Sequence, residues 1–168
     1  MMSQIKANST TEIYSGIVTI TVKKNGKSFS IRKHNEGTSE LFASIVKFLC
    51  NGYLEGEKAN DYAIRSMQLS QGTSIISSEI IPTISPVYKE NSSLIICDAV
   101  IYSDNMISSL INAGNDCNLN LQNYLNQTIA TISLSGDLIS KVANREYEEI
   151  KITWELLFDN AEAQSWVI

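Results

Sequence analysis

The chain has 168 residues, 43% of them hydrophobic and only 18% charged, with a net charge of −5. That length buries a core without staples, and that balance argues against a phosphate-binding surface, which needs clustered Lys and Arg. Three cysteines (Cys50, Cys97, Cys117), an odd number in wide spacing with no CxxC or His–Cys cluster, argue against a zinc site.

The missing charge is replaced by Ser, Asn, Thr and Gln, which suit strands, turns and wet interfaces. Cys50 and Cys97 lie in apolar runs and read as small buried hydrophobes of a reducing compartment. Met1 to Thr11 is polar, unlike a signal peptide, and no apolar run is long enough to span a bilayer. The expectation is a protein made in a cytoplasm and soluble, with no membrane and no nucleic acid as partner.

Residues 1–12 lack periodicity and read as an interface arm or added strand, with Ile5 its apolar residue and Ile13 at the border of the domain. From Ile13 the pattern alternates. Val18, Ile20 and Val22 share one face, Asn25-Gly26 follows, and Phe29 and Ile31 continue beyond it. An Asn-Gly pair between alternating runs predicts a hairpin, because both residues tolerate positive φ. The basic residues Lys23, Lys24, Lys27, Arg32 and Lys33 then crown a solvated tip. His34 to Gly37 reads as a loop. Thr38 or Ser39 caps a helix with an apolar stripe of Leu41, Phe42, Ile45, Phe48 and Leu49, closed by Gly52.

Tyr53 to Asp61 reads as loop, and Ala63 to Leu69 and Ser74 to Ile81 as strands, the second stopped by Pro82. Pro86 stops a further start. Leu94 to Tyr102 reads as a central strand. A short helix is expected at Met106 to Ile111. The polar stretch Asn115 to Asn126, with Tyr124, reads as an exposed or interface loop. Thr128 to Leu134 alternates, Asp137 to Asn144 suggests a helical turn, and Glu149 to Phe158 alternates with Ile150, Ile152, Trp154, Leu156 and Phe158 on one face. One domain over residues 13–160 is expected, mainly β: a β-sandwich of about seven strands with one or two short helices packed on it. Residues 161–168 form a C-terminal tail whose Trp166, Val167 and Ile168 must find burial, by folding back or by docking into a neighbouring subunit.

Catalytic chemistry finds little support. The single histidine, His34, has no partner motif, and the glycines make neither GxGxxG nor a Walker A pattern. Ser135-Gly136-Asp137 and Asn115-Asp116 lack EF-hand spacing, and Glu146, Glu148 and Glu149 belong to a solvated face. No catalytic, cofactor-binding or metal-binding residue is assigned and no cofactor is expected. The candidate interface residues are Ile5, Ile13, Tyr124, Trp166, Val167 and Ile168.

Two segments carry a resemblance. Lys33-His34-Asn35-Glu36-Gly37-Thr38-Ser39-Glu40-Leu41-Phe42 precedes a short helix with Ile45 and Leu49-Cys50-Asn51-Gly52. Ile129-Ala130-Thr131-Ile132 leads to a late strand, Ile150-Lys151-Ile152-Thr153-Trp154-Glu155-Leu156-Leu157-Phe158-Asp159-Asn160. Together they resemble small virion structural proteins of tailed bacteriophages, in particular the neck and tail ring proteins of crAss-like phages. The resemblance covers the two ends of the fold and leaves the middle unmatched. It implies a β-sandwich and a structural subunit of a virion, in a tail or neck ring or a head decoration. Its partners would be itself as a homo-oligomeric ring and neighbouring virion proteins. It carries no catalytic residues. The rival reading is a receptor- or carbohydrate-binding module of a phage fibre or head decoration, with Tyr53, Tyr62 and Tyr124 gathered in one concavity. A small enzyme is the third.

Overall fold

A computed structural model describes residues 14–35, 37–52, 55–77, 79–88, 92–101, 117–134 and 149–159. The protein is mainly β, with two antiparallel sheets and one α-helix in a sandwich-like arrangement. In chain order the elements are β1 (Tyr14–Lys24), β2 (Lys27–Asn35), α1 (Ser39–Leu49), a 3-10 turn at Ala59–Tyr62, β3 (Ile64–Gln71), β4 (Ser74–Ile75), β5 (Thr83–Tyr88), β6 (Ser92–Ile101), β7 (Cys117–Asn123), β8 (Thr128–Leu134) and β9 (Glu149–Asp159). The first sheet runs β2-β1-β9-β6-β5 and the second β4-β3-β7-β8. Nine strands are thus described where about seven are expected from the sequence.

The alternating runs form the elements their period predicts. β1 and β2 pair from Gly16↔Asn35 to Lys24↔Lys27 around Asn25 and Gly26, whose φ angles of 48° and 72° are those an Asn-Gly hairpin turn supplies. Val18, Ile20 and Val22 of β1 face inward, as do Ile150, Ile152, Trp154 and Leu156 of β9. β9 lies between β1 and β6, and a strand with neighbours on both sides buries its apolar face completely. The second sheet answers with Met67 and Leu69 of β3, Cys117, Leu119 and Leu121 of β7, and Ala130, Ile132 and Leu134 of β8, all in one continuous core.

Several expectations are corrected. Within the stretch Asn115 to Asn126, expected as a loop, Cys117–Asn123 is an internal strand, with Cys117, Leu119 and Leu121 inward and Asn118, Asn120 and Gln122 on the opposite face. The period of two was present, but the amide side chains resembled turn chemistry. Ser74 to Ile81 is not one strand. β4 is two residues long, and further on the chain meets β3 again through a bridge between Ile80 and Met67. In between, Ser77 Oγ accepts from Leu69 N at 2.9 Å, so a hydroxyl replaces the missing ladder oxygen. Pro86 does not stop a strand but sits within β5, an edge strand, where a residue without N–H is tolerated. His34 and Asn35 end β2 rather than opening a loop. Cys50 is exposed at the helix end, not buried. The left-handed residue after α1 is Asn51 (φ 58°), with Gly52 (φ 93°) following and donating to Lys47 O at 2.7 Å. The helix expected at Met106 to Ile111 and the turn at Asp137 to Asn144 lie outside the described residues.

Cys97 and Cys117 are the buried thiols. Burial, aided by the nearby Asp98, pushes Cys97 up from 9.0 to about 12. Burial alone pushes Cys117 from 9.0 to about 11. A native-state thiol titration at pH 8 should therefore modify Cys50 and leave these two unreacted until the protein is unfolded. Stability should be flat with respect to these groups below pH 9. It should fall above it, where the unfolded thiols ionise and the native ones keep their protons.

Candidate functional site

One end of the sandwich is built differently from the rest. Both internal strands of the second sheet change register there, β3 between Ile64 and Ser66 and the β7–β8 pair between Leu121 and Gln122. Bulges bend strands and leave ladder groups unpaired. Thr38 takes up the carbonyls of β8 at this point: its N–H donates to Ile129 O at 3.2 Å, and its hydroxyl reaches Ile129 O at 2.8 Å and Thr128 O at 3.0 Å. The same hydroxyl accepts from Leu41 N at 3.3 Å and so caps α1. One threonine thus anchors the helix start to the strand.

Asn123 anchors the helix middle. Its side chain is fully buried and donates to Ser44 Oγ of α1 at 3.3 Å and to Gln127 Oε1 at 2.8 Å. Its Oδ1 accepts from Leu125 N and Gln127 N, each at 3.0 Å, shaping the β7–β8 turn. On the facing sheet, Trp154 Nε1 donates to Asn35 Oδ1 at 3.1 Å, and Asn35 Nδ2 donates to the Tyr14 hydroxyl at 3.4 Å. The Tyr14 ring then packs on Phe42 of α1 and Phe158 of β9, centroids 6.3 and 5.5 Å away.

Between α1 and this end of the two sheets lies an apolar groove of about 320 Å³. α1 contributes Leu41, Ser44, Ile45, Phe48 and Leu49, and the 3-10 turn and β3 contribute Tyr62, Ala63 and Ile64. Ile84 of β5, Ile95 of β6, Ile129 of β8, and Leu156 and Phe158 of β9 complete the wall. Only Ser44 and Tyr62 among these carry a polar side-chain atom. The neighbouring Glu57 carboxylate, with burial, pushes the Tyr62 phenol up to about 12, so the groove wall is uncharged at neutral pH. Lys47 lies over the Tyr62 ring, 5.2 Å from its centroid.

The apolar surface continues from the rim of the groove onto the outer side of α1. Phe42, Val46 and Leu49, at helical i, i+4, i+7 spacing, are 46%, 60% and 77% exposed. The helix therefore carries apolar residues on more of its circumference than its own sheets cover. The sequence stripe mixed the two faces, because Leu41 and Ile45 turn inward while Phe42 turns out and Leu49 stands at the groove's rim.

The opposite face of the second sheet has another character. Ser66, Gln68 and Ser70 of β3, Asn118, Asn120 and Gln122 of β7, and Thr131 and Ser133 of β8 are all uncharged and polar. Asn120 links the three strands, donating to Ser70 Oγ and accepting from Thr131 Oγ1, both at 2.8 Å. On this face Ser66 Oγ is buried with no hydrogen-bond partner among the described residues. Ser66→Ala should accordingly leave stability within about 1 kcal/mol of the parent, or raise it, in urea unfolding.

Of the six candidate interface residues, Tyr124 is described. It is 53% exposed at the β7–β8 turn, with Arg65 stacked 5.7 Å from its ring centroid. Ile5, Ile13, Trp166, Val167 and Ile168 lie outside the described residues. Of the tyrosines of the carbohydrate reading, Tyr62 is buried in the groove wall, Tyr124 is exposed outside that wall, and Tyr53 lies outside the described residues. His34 is exposed, opposite Ile17 in the β1–β2 ladder. Among the described residues, no group of three or more His, Cys, Asp or Glu is placed to hold a metal, and no helix is long and apolar enough to cross a membrane. The groove residues were not legible in the sequence because they come from seven separate elements.

No protein-family model matches the chain, and neither the curated proteins nor the solved structures contain a match to it.

Proposed function

We propose that the chain is a structural, non-enzymatic subunit that works by binding other protein subunits, and that its setting is a bacteriophage virion, as part of a tail or neck ring or a comparable oligomer. The observation that carries the assembly reading is the uncovered apolar surface around α1. Phe42, Val46 and Leu49 stand out from the helix beside an open apolar groove, and a contiguous apolar patch of this kind is what protein contact surfaces offer. The groove supplies no pair of ionisable groups to move protons and no nucleophile with a base beside it. The virion setting rests on the two sequence segments that resemble ring proteins of tailed phages.

Two measurements test the two halves of this reading. Light scattering of the purified chain across a wide concentration range should show mass rising above that of a monomer, and a strict monomer throughout would sink the assembly half. Mass spectrometry of purified phage particles from the source of the gene should find the chain in a fixed copy number, and its absence there would sink the virion half.

A further inference from the structure

The groove lies where the described chain leaves the sandwich. Phe158 forms part of its wall, and β9 is paired on both flanks up to that point, Tyr14↔Phe158 on β1 and Ser92↔Asp159 on β6. Residues 160–165 are small or polar, with Glu162 the single charge among them, and Trp166, Val167 and Ile168 follow.

We propose that the groove is a socket for the Trp166–Ile168 segment of a second copy of this chain. The inference rests on the assembly reading and names its contact. The chemistry matches on both sides: an indole and two branched aliphatic side chains meet a wall that is aliphatic and aromatic except for Ser44 and Tyr62. A buried Trp anchor in an apolar pocket is the usual centre of a protein contact. A volume near 320 Å³ is at the lower end of small-ligand pockets, which suits a short anchoring segment rather than a whole element.

A second copy fits better than the chain's own end. Fully extended, the stretch from Asp159 to Trp166 spans roughly 23 Å, reach enough to deliver the anchor to a neighbouring copy. A segment folded into its own groove also leaves Phe42 and Val46 bare on the outer side of α1. A neighbour that delivers its segment brings the body of its sandwich against that stripe. Socket and segment are different surfaces, so the contact is head to tail and propagates into a ring or a filament.

Complementation tests this directly. Trp166→Glu removes the anchor and keeps the socket. Leu49→Glu, at a position 77% exposed, adds a charge at the rim and keeps the anchor. Each variant alone, shown to be folded by circular dichroism, should self-associate more than tenfold more weakly than the parent. An equimolar mixture should form a pair of twice the monomer mass in light scattering and stop there, because one intact socket and one intact segment remain. Unchanged assembly of both variants would overturn the socket while leaving the assembly reading in place. A parent that stays monomeric, with a Trp protected from acrylamide quenching that Leu49→Glu exposes, would place the segment in its own groove and overturn both.

Discussion

Gly16→Ala should cost about 2–3 kcal/mol of stability in chemical denaturation, a large effect for one added methyl group. A Cβ at this position would overlap Asn35 Oδ1 and come within 2.6 Å of the Tyr14 hydroxyl oxygen. Gly16 is directly opposite Asn35 in the β1–β2 ladder, so neither backbone can step aside without breaking the pairing. The Asn35 side chain must then swing away and release the Trp154 N–H, which lies in the core with no access to water. An unpaired buried donor adds its own penalty of about 1–3 kcal/mol where no other acceptor is within reach. Asn35→Ala should be costly for that second reason alone. In its presence Gly16→Ala should add far less than in the parent, because the overlapping oxygen is gone. A double-mutant cycle reads the coupling. Simple additivity of the two changes would mean that Gly16 is not there to admit Asn35.

Asn123→Ala should destabilise by about 2–4 kcal/mol. Four hydrogen bonds meet at this one side chain, and its loss strands the N–H groups of Leu125 and Gln127 in a tight turn while freeing Ser44 on the helix. Ser44→Ala removes one of those partners and should cost only about 1 kcal/mol. The two variants differ in a second respect. Asn123→Ala loosens the turn and the helix together, so hydrogen exchange should rise in both α1 and the β7–β8 turn, whereas Ser44→Ala should affect α1 alone. Equal free-energy losses in the two variants would show that Asn123 acts only through the helix.

The parts of the fold that could be read from the sequence are those in which one local signal decides the structure. The β1–β2 hairpin is written in Val18, Ile20 and Val22 and in Asn25-Gly26. β9 is written in the alternation of Ile150, Ile152, Trp154 and Leu156, and the helix in the Thr38 cap and the spacing of Leu41 and Ile45. β7 escaped because Asn118, Asn120 and Gln122 carry turn-like side chains. In the fold those amides lie on a polar sheet face and bond across strands, as Asn120 does with Ser70 and Thr131. Asn35 escaped because its significance depends on Trp154, 119 positions away. The groove is a long-range property of the same kind. Ile84, Ile95, Ile129 and Phe158 each look like ordinary strand residues, and only the bulged end of the second sheet and the position of Thr38 bring them to one opening.

The borders of the two sheets have a consequence for a protein kept at high local concentration. On one flank β2 and β8 stand against each other, with Gly37 bridged to Ala130 and Lys33 Nζ donating to Ser133 O at 3.0 Å. On the other flank, β4 is broken after two residues and β5 carries Pro86. Among the described residues, then, this second flank has no long uninterrupted border on which identical chains can stack strand upon strand into amyloid-like fibrils. On the assembly proposal, crowding brings copies together at the side-chain surface of α1, and a contact surface with shape selects its partner.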